Sequence, residues 1–269
     1  MSNTALDYEM CDQLAFELAG ERFVALLSGG LYWPRVNALL LADLHLEKGS
    51  AFALRGQFLP PYDSLQTLNQ LTKDIATFEP EQVMCLGDSF HDRGGPDRLS
   101  PDCRDILGGL MQGRRWSWIS GNHDPEGPVE LGGEAHAMLI VDGIGLTHEP
   151  GSLLSATNQQ VPGSLLSATD ADPNAETAET TKIKAEIAGH LHPVATIANR
   201  QRGRALRRRA FVIGKERLIL PAYGSYTGGL NIRDEAFAAL LEPATRLVII
   251  GRQTLSAHPV VAASQKGAR

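Results

Sequence analysis

The residues best suited to chemistry fall in five short blocks: Asp43-Leu44-His45, Gly87-Asp88, Gly121-Asn122-His123-Asp124, Thr147-His148-Glu149 and Gly189-His190-Leu191-His192. Carboxylate, amide oxygen and imidazole together make a donor set for Mn²⁺, Fe²⁺ or Zn²⁺. No block contains cysteine, which argues against a structural zinc site. Any block alone is weak: Asp-x-His is a common accident, Gly-Asp an ordinary turn, and His-x-His an alternating strand edge. Gly-Asn-His-Asp is sharper, because four specified residues seldom coincide. The five blocks in one order, each at the end of an apolar run, are sharper still.

Those apolar runs are the elements that must position the blocks. Ala38 to Ala42 is continuously apolar and stops at Asp43; Val83 to Leu86 stops at Gly87-Asp88, and Trp116 to Ile119 just before Gly121. A strand apolar on both faces is a buried strand, and α/β proteins display their chemistry beyond the carboxyl ends of such strands. After Pro60-Pro61, the spacing of Leu65, Leu68, Leu71, Ile75 and Phe78 predicts a helix that Asp63 or Ser64 can cap. Arg104 to Met111 reads as a second helix. Leu14 to Leu18, Phe23 to Leu27 and Leu31 to Trp33 read as early strands. Ala137 to Val141, Ile144 to Thr147, Ala185 to Ala188, Arg217 to Leu220 and Leu247 to Ile250 read as later ones. Strands alternate with helices early and dominate late. That order predicts an α/β (α+β) fold of two packed mixed β-sheets flanked by helices, rather than one doubly wound sheet.

The chain has 269 residues, 43% hydrophobic and 21% charged, which excludes collagenous and fully disordered classes and suits a single domain over 1–269. Its apolar runs are too short to span a bilayer, and the polar, acidic start shows no secretory signal. Three widely spaced cysteines (Cys11, Cys85, Cys103) make a disulfide framework a poor reading, so a cytoplasmic protein with no membrane partner is expected. A net charge of −6 argues against nucleic acid being gripped over the whole surface. Bound dications would offset part of that count, so local charge matters more. GSLLSAT occurs at 151–157 and again at 163–169, followed by a polar stretch, so 151–182 is expected to be an inserted mobile loop, with a lid over the site as the alternative.

The ordered blocks resemble the calcineurin-like metallophosphoesterases, with all five intact between Asp43 and His192. Three longer strings, Leu41 to Asp63, Gly87 to Arg93 and Pro221 to Asn231, resemble one branch of that superfamily, the DNA-ligase-associated damage-response endonucleases. The resemblance implies a four-layer αββα sandwich and two divalent metals, most often Mn²⁺, with Fe²⁺ or Zn²⁺ allowed by the donors. It places Asp43, His45, Asp88 and His192 on one metal, and Asp88, Asn122, His148 and His190 on the other, with Asp88 bridging. A shared carboxylate can hold two cations about 3.5–4 Å apart, and water between them supplies hydroxide near neutral pH. His123 is implied to face the substrate as proton donor or charge stabiliser. Asp124 can orient its ring or merely cap the following turn. His91 can contact the phosphate or orient a metal ligand, while Asp92 and Arg93 can steady the same loop. His136 and His258 read as ordinary residues.

Metals and a histidine specify phosphoester hydrolysis without choosing the substrate. Arg200 to Arg209 holds six arginines in ten residues, a footprint suited to phosphates or simply a solvated hairpin. Tyr223 and Tyr226 can stack on unpaired bases or pack in the core. The expected function is hydrolysis of DNA phosphodiesters, single-stranded or flexible, in DNA repair. A DNA ligase and associated repair proteins are partners by resemblance only. A phosphatase or phosphodiesterase for nucleotides, small phosphoesters or phosphoproteins is the alternative, and a non-catalytic scaffold the least favoured reading.

Overall fold

The computed structural model describes residues 12–151, 153, 164–165, 183–199 and 204–260. Two mixed sheets face each other. The first runs, in spatial as in chain order, β1 (Gln13–Leu18), β2 (Glu21–Leu26), β3 (Leu31–Trp33), β4 (Ala38–Leu41), β5 (Gln82–Leu86), β6 (Arg115–Ile119) and β7 (Glu134–His136). Strands β1 to β4 form an antiparallel meander, whereas β4 to β7 are parallel. The second sheet contains β8 (Leu139–Val141), β9 (Ile144–Thr147), β10 (Ser164–Leu165), β11 (Ala185–Ala188), β12 (Val194–Asn199), β13 (Arg204–Ile213), β14 (Arg217–Ile219), β15 (Arg246–Ile250) and β16 (Leu255–Pro259). Its order is β10-β8-β9-β11-β14-β13-β15-β16, with β12 paired to β13. Strand β11 is parallel to both β9 and β14.

Both faces of the central strands are buried, as continuous apolar runs require. Ala38, Leu40, Met84, Leu86 and Ile119 meet Leu146, Ile187, Phe211, Leu218 and Val248 of the second sheet in the inter-sheet core. Leu39, Leu41, Val83, Cys85 and Trp118 point the other way, toward helices α2 (Asp63–Phe78) and α4 (Pro101–Met111). Each fully buried Leu here contributes roughly 1.5–3 kcal/mol relative to exposure. Short helices α1 (Lys48–Ala53) and α3 (Gly95–Arg98) complete that layer. Outside the second sheet, Ala210, Val212, Ile219, Leu247 and Ile249 are covered by Phe237, Leu240 and Leu241, where the chain forms a 3-10 turn (Glu235–Phe237). The two mixed sheets are those expected; among the described residues the α-helices lie against the first sheet, and a loop with a 3-10 turn covers the second.

Helix α2 buries Leu68, Leu71 and Ile75 as its spacing predicts, but its capping differs. Tyr62 occupies the N-cap without a side-chain hydrogen bond. Asp63 instead accepts from Gly49 N–H at 2.9 Å, and the Ser64 hydroxyl accepts from Glu47 N–H at 2.8 Å. Both candidate caps are spent tying α2 to the start of α1. Most of the 151–182 segment lies outside the described residues. Within it Ser164–Leu165 pairs with β8, and the N–H groups of Gly151 and Leu153 donate to the fully buried Glu186, which also takes Arg217 Nε at 3.0 Å. No helix among the described residues is long and apolar enough to cross a membrane.

Candidate metal centre

Parallel strands β4, β5 and β6 release the chain on one side of the first sheet at Asp43, Asp88 and Asn122; β9 and β11 do the same in the second at His148 and His190. The packed sheets bring these ends together. His190 N–H donates to Asp43 Oδ2 at 2.9 Å and His123 N–H to Asp88 Oδ1 at 2.9 Å. Asp43, His45, Asp88, His190 and His192 all have positive φ, between 43° and 71°. Such left-handed backbone costs of order 1–3 kcal/mol per residue, and it concentrates at functional sites. Here it turns each donor sharply inward straight after its strand. The segment 221–231 holds this path: Tyr223 N–H donates to Ala42 O at 2.8 Å and Gly224 N–H to Asp43 O at 3.2 Å. A Cβ at Gly121 would strike Asp88 N and Oδ1, so the first glycine of Gly-Asn-His-Asp is required by close approach.

Two donor groups overlap on Asp43: Asp43, His45 and His192 form one, and Asp43, Asp88 and His148 the other. In the first, His45 Nε2 and His192 Nε2 are 3.2 Å apart, and His192 Nε2 is 3.3 Å from Asp43 Oδ1. In the second, His148 Nε2 lies 3.5 Å from Asp88 Oδ2 and 3.1 Å from His190 Nδ1. His45 Nε2 is 3.8 Å from Asp88 Oδ2, linking the groups. Asn122 sits between Gly121 and His123, both against Asp88, and its side chain is exposed.

The tautomers follow from the partners, because a carbonyl can only accept. His148 Nδ1–H donates to Leu86 O at 3.0 Å and His192 Nδ1–H to Gly228 O at 3.2 Å. Each neutral ring therefore turns an Nε2 lone pair into the centre, the arrangement typical of metal-ligating imidazole. Asp43 Oδ1 is buried without a hydrogen bond and faces one of these lone pairs. Converging lone pairs around an orphaned carboxylate oxygen repel one another unless a cation or proton lies between them, so the residues present fit a divalent metal centre.

Without metal, a proton takes part of that place. Burial opposes charge on His148, but its hydrogen bond to Asp88 and the fields of Asp43 and Asp88 outweigh burial and raise its pKa to about 9. Burial would raise the Asp88 pKa, yet His148 and the His123 N–H hold it below the usual carboxylate range. Burial first, then His192, strongly depresses His45, leaving it neutral.

His123 is half exposed, and its Nδ1–H donates to His91 O at 2.7 Å. Its Nε2 is thereby left open, 3.9 Å from Asp88 Oδ2. The His91 ring stacks on His123 with centroids 5.2 Å apart, and burial foremost lowers its pKa to about 4. Asp124 does not orient His123. It is buried, and its Oδ2 accepts from Ser89 N–H at 2.8 Å and Phe90 N–H at 3.1 Å, bracing the turn after Asp88. Two backbone donors satisfy a buried carboxylate better than one half-exposed imidazole. Burial still raises its pKa, to about 7. Arg93 is exposed; Arg98 pairs with Asp92 at 2.7 Å and also holds Ser50 Oγ at 2.9 Å. A third group joins His45, His91 and His123; His136 and His258 stand on β7 and β16, outside all three. The carbonyls of Leu86, His91 and Gly228 were not legible in the sequence, since any residue can supply a carbonyl.

Three arginines of the predicted stripe can be placed by their bonds. Arg209 Nη1 and Nη2 donate to Ala222 O at 2.8 Å and Ser28 O at 3.0 Å, so it is a structural tie between sheets. Arg207 is exposed and bonds Gly229 O at 2.6 Å, beside the carbonyl that holds His192; Arg208 Nη1 reaches Arg207 O at 3.1 Å. Residues 200–203 lie outside the described residues. Tyr223 is buried with its hydroxyl on Asp74 at 2.8 Å, a packing role, and Tyr226 is half-buried.

Two mixed sheets carrying such a donor set define a metallophosphoesterase sandwich. Residues 36–151 match the family model described as calcineurin-like phosphoesterase, a stretch that includes Asp43, His45, Asp88, Asn122, His123 and His148. Over that stretch the chain is similar to the calcineurin-like phosphoesterases, a family of phosphoester hydrolases that use a binuclear metal centre. Among solved structures it is similar to a Pseudomonas putida nuclease, at 23% identity over 91% of this chain and 100% of that one, with a TM-score of 0.61. A conserved uncharacterized protein from Streptococcus pneumoniae is 16% identical over 82% of this chain and 96% of that one, with a TM-score of 0.32. No curated protein sequence matches the chain.

Proposed function

We propose that this chain is a divalent-metal-dependent endonuclease that hydrolyses phosphodiester bonds in DNA, preferentially single-stranded or flexible. The observation that carries this reading is the position of Arg207, exposed and bonded to Gly229 one residue from the carbonyl that holds His192. A guanidinium on the rim of a phosphoesterase centre suits a polyanion that continues past the scissile bond. The similar fold of the Pseudomonas putida nuclease is in keeping with it.

Asp43, His45, Asp88 and His192 would hold one cation, and Asp88, Asn122, His148 and His190 the second, with Mn²⁺ the metal favoured by resemblance. When bound, the cations supply Lewis-acid stabilisation of the phosphate oxygens and a water of lowered pKa. The chain's own residues do the rest. His91 O keeps the His123 Nδ1 proton in place, so His123 gains and gives its second proton at Nε2, toward the leaving oxygen. Asp124 fixes the turn that carries Asp88. By resemblance, the reaction belongs to DNA repair in the cytoplasm, alongside a DNA ligase and associated proteins, with no membrane partner.

The test is cleavage of single-stranded oligonucleotides and nicking of plasmid DNA with Mn²⁺, beside turnover of aryl phosphomonoesters, cyclic nucleotides and phosphopeptides. Efficient DNA cleavage supports the reading. Turnover of monoesters with no cleavage of DNA under any of Mn²⁺, Fe²⁺ or Zn²⁺ replaces it with the phosphatase alternative.

A further inference from the structure

Between α1 and α2 the chain makes an excursion that leaves and returns at one place. Glu47 N–H bonds Ser64 Oγ at 2.8 Å, Ser64 Oγ bonds Glu47 Oε1 at 2.7 Å, and Gly49 N–H bonds the buried Asp63. Leu54 is 74% exposed, Phe58 86% and Tyr62 55%, the three most exposed large hydrophobics among the described residues. Three such side chains within nine residues of chain offer an apolar binding surface.

The excursion stands beside the catalytic histidine. Phe52 packs its ring 5.5 Å from the His91 ring, which in turn stacks on His123 at 5.2 Å. Gln57 N–H folds back onto Phe52 O at 3.0 Å, so the chain returns to Phe52 one residue before Phe58. Two cationic residues share the neighbourhood: Lys48 Nζ lies 5.8 Å from the Phe52 ring centre, and Arg55 N–H bonds Phe52 O at 2.9 Å. Aromatic faces with cations at their base, next to a phosphoester-cleaving centre, suit single-stranded nucleic acid, whose bases stack while its phosphates pair. A protein partner would have no need of cations beside Phe52, next to a phosphoester site.

We propose that Phe58 and Tyr62 form a base-stacking platform for the nucleotides flanking the scissile phosphate, with Lys48 and Arg55 contacting the backbone. This rests on the nuclease reading above. The test uses the full chain with Mn²⁺, a fluorescent oligothymidylate, and bis-(p-nitrophenyl) phosphate as a diester too small to span centre and platform. Phe58→Ala should raise the oligothymidylate KM about fivefold or more, the loss expected for one stacked base. Tyr62→Ala should act in the same direction, and Phe58→Trp should restore wild-type KM. The small diester should be turned over as before, and melting should be unchanged, since Phe58 is exposed. If wild type cleaves oligothymidylate and Phe58→Ala with Tyr62→Ala does so with the same KM, the platform is overturned and the nuclease reading stands. Wild-type protein that hydrolyses only the small diester sinks both. An altered elution volume on gel filtration with unchanged oligothymidylate KM assigns the patch to a protein contact and also overturns the proposal.

Discussion

The backbone N–H of His190 donates to Asp43 Oδ2 at 2.9 Å, joining residues 147 positions apart and tying the end of β4 in one sheet to the end of β11 in the other. The other oxygen of the same carboxylate is buried without a hydrogen bond. One oxygen thus holds the sheets in register while its twin is kept bare for a cation. Asp43→Asn can keep the first function and must lose most of the second. Metal counting on protein purified without chelators should show the loss of at least one equivalent, with melting of the metal-free variant equal to or above wild type. Full metal content together with a lower melting temperature would contradict this division of labour.

Metal uptake should release protons. With a pKa of about 9, His148 is protonated in the metal-free protein at pH 7.5, and a cation must displace that proton. Calorimetry of Mn²⁺ binding in two buffers of different ionisation heat should register close to one proton per protein.

The same group sets a pH window for stability. Its pKa is about 9 when folded, against roughly 6.5 when unfolded. The stability it contributes is therefore complete below the unfolded value and lost as pH rises through about 9. His45, depressed and neutral in the fold, has the opposite sign, destabilising the fold as pH drops below roughly 6.5. Metal-free protein should accordingly melt highest near neutral pH, and saturating Mn²⁺ should flatten the alkaline limb. An alkaline limb that persists with metal bound would show that His148 is not displaced.

His123→Ala should lower kcat on DNA by about 10²–10⁴ while metal content stays the same, because its Nε2 reaches Asp88 only at 3.9 Å. With an aryl diester, whose leaving group needs no proton, the loss should shrink markedly. Equal losses on both substrates would replace proton donation with charge stabilisation.

The arginines of β13 should separate cleanly. Arg209→Ala strips two charge-assisted bonds that cross to Ser28 and Ala222 and should cost roughly 2–4 kcal/mol in urea unfolding. Arg207→Ala with Arg208→Ala should leave unfolding nearly unchanged and weaken oligonucleotide binding. The slope of log affinity against log salt should fall by about 0.7 for each phosphate contact removed. A stable Arg209→Ala protein with weakened DNA binding would reverse these assignments.

Much of the centre was legible from one regularity. Buried parallel strands must be apolar on both faces, so the residue at which an apolar run stops marks where the chain leaves the sheet. Asp43, Asp88, Asn122, His148 and His190 were placed at strand ends on that ground, and the fold brings these ends together. The two mixed sheets were legible from the order of the same runs. Strand β16 alternates in burial and offers no continuous apolar run; of β12 and β13 the sequence suggests only the solvated hairpin reading of Arg200 to Arg209, although β13 ends in the buried run Ala210 to Ile213.

Other assignments depended on which groups the folded path brings face to face. A carboxylate beside a histidine in sequence suggests a pair, but Asp124 turns to the amides of Ser89 and Phe90, and the ring of His123 is held by a carbonyl 32 positions away. Arg207 and Arg209 are the same residue type two positions apart, yet one reaches the rim of the centre and the other spans the sheets. Side-chain chemistry is written in the sequence and tells which atoms can bind a cation or a phosphate. Backbone carbonyls and amides are alike at nearly every residue, so the tautomer of each imidazole and the partner of each charge were decided only when tertiary structure chose which of them stood nearby.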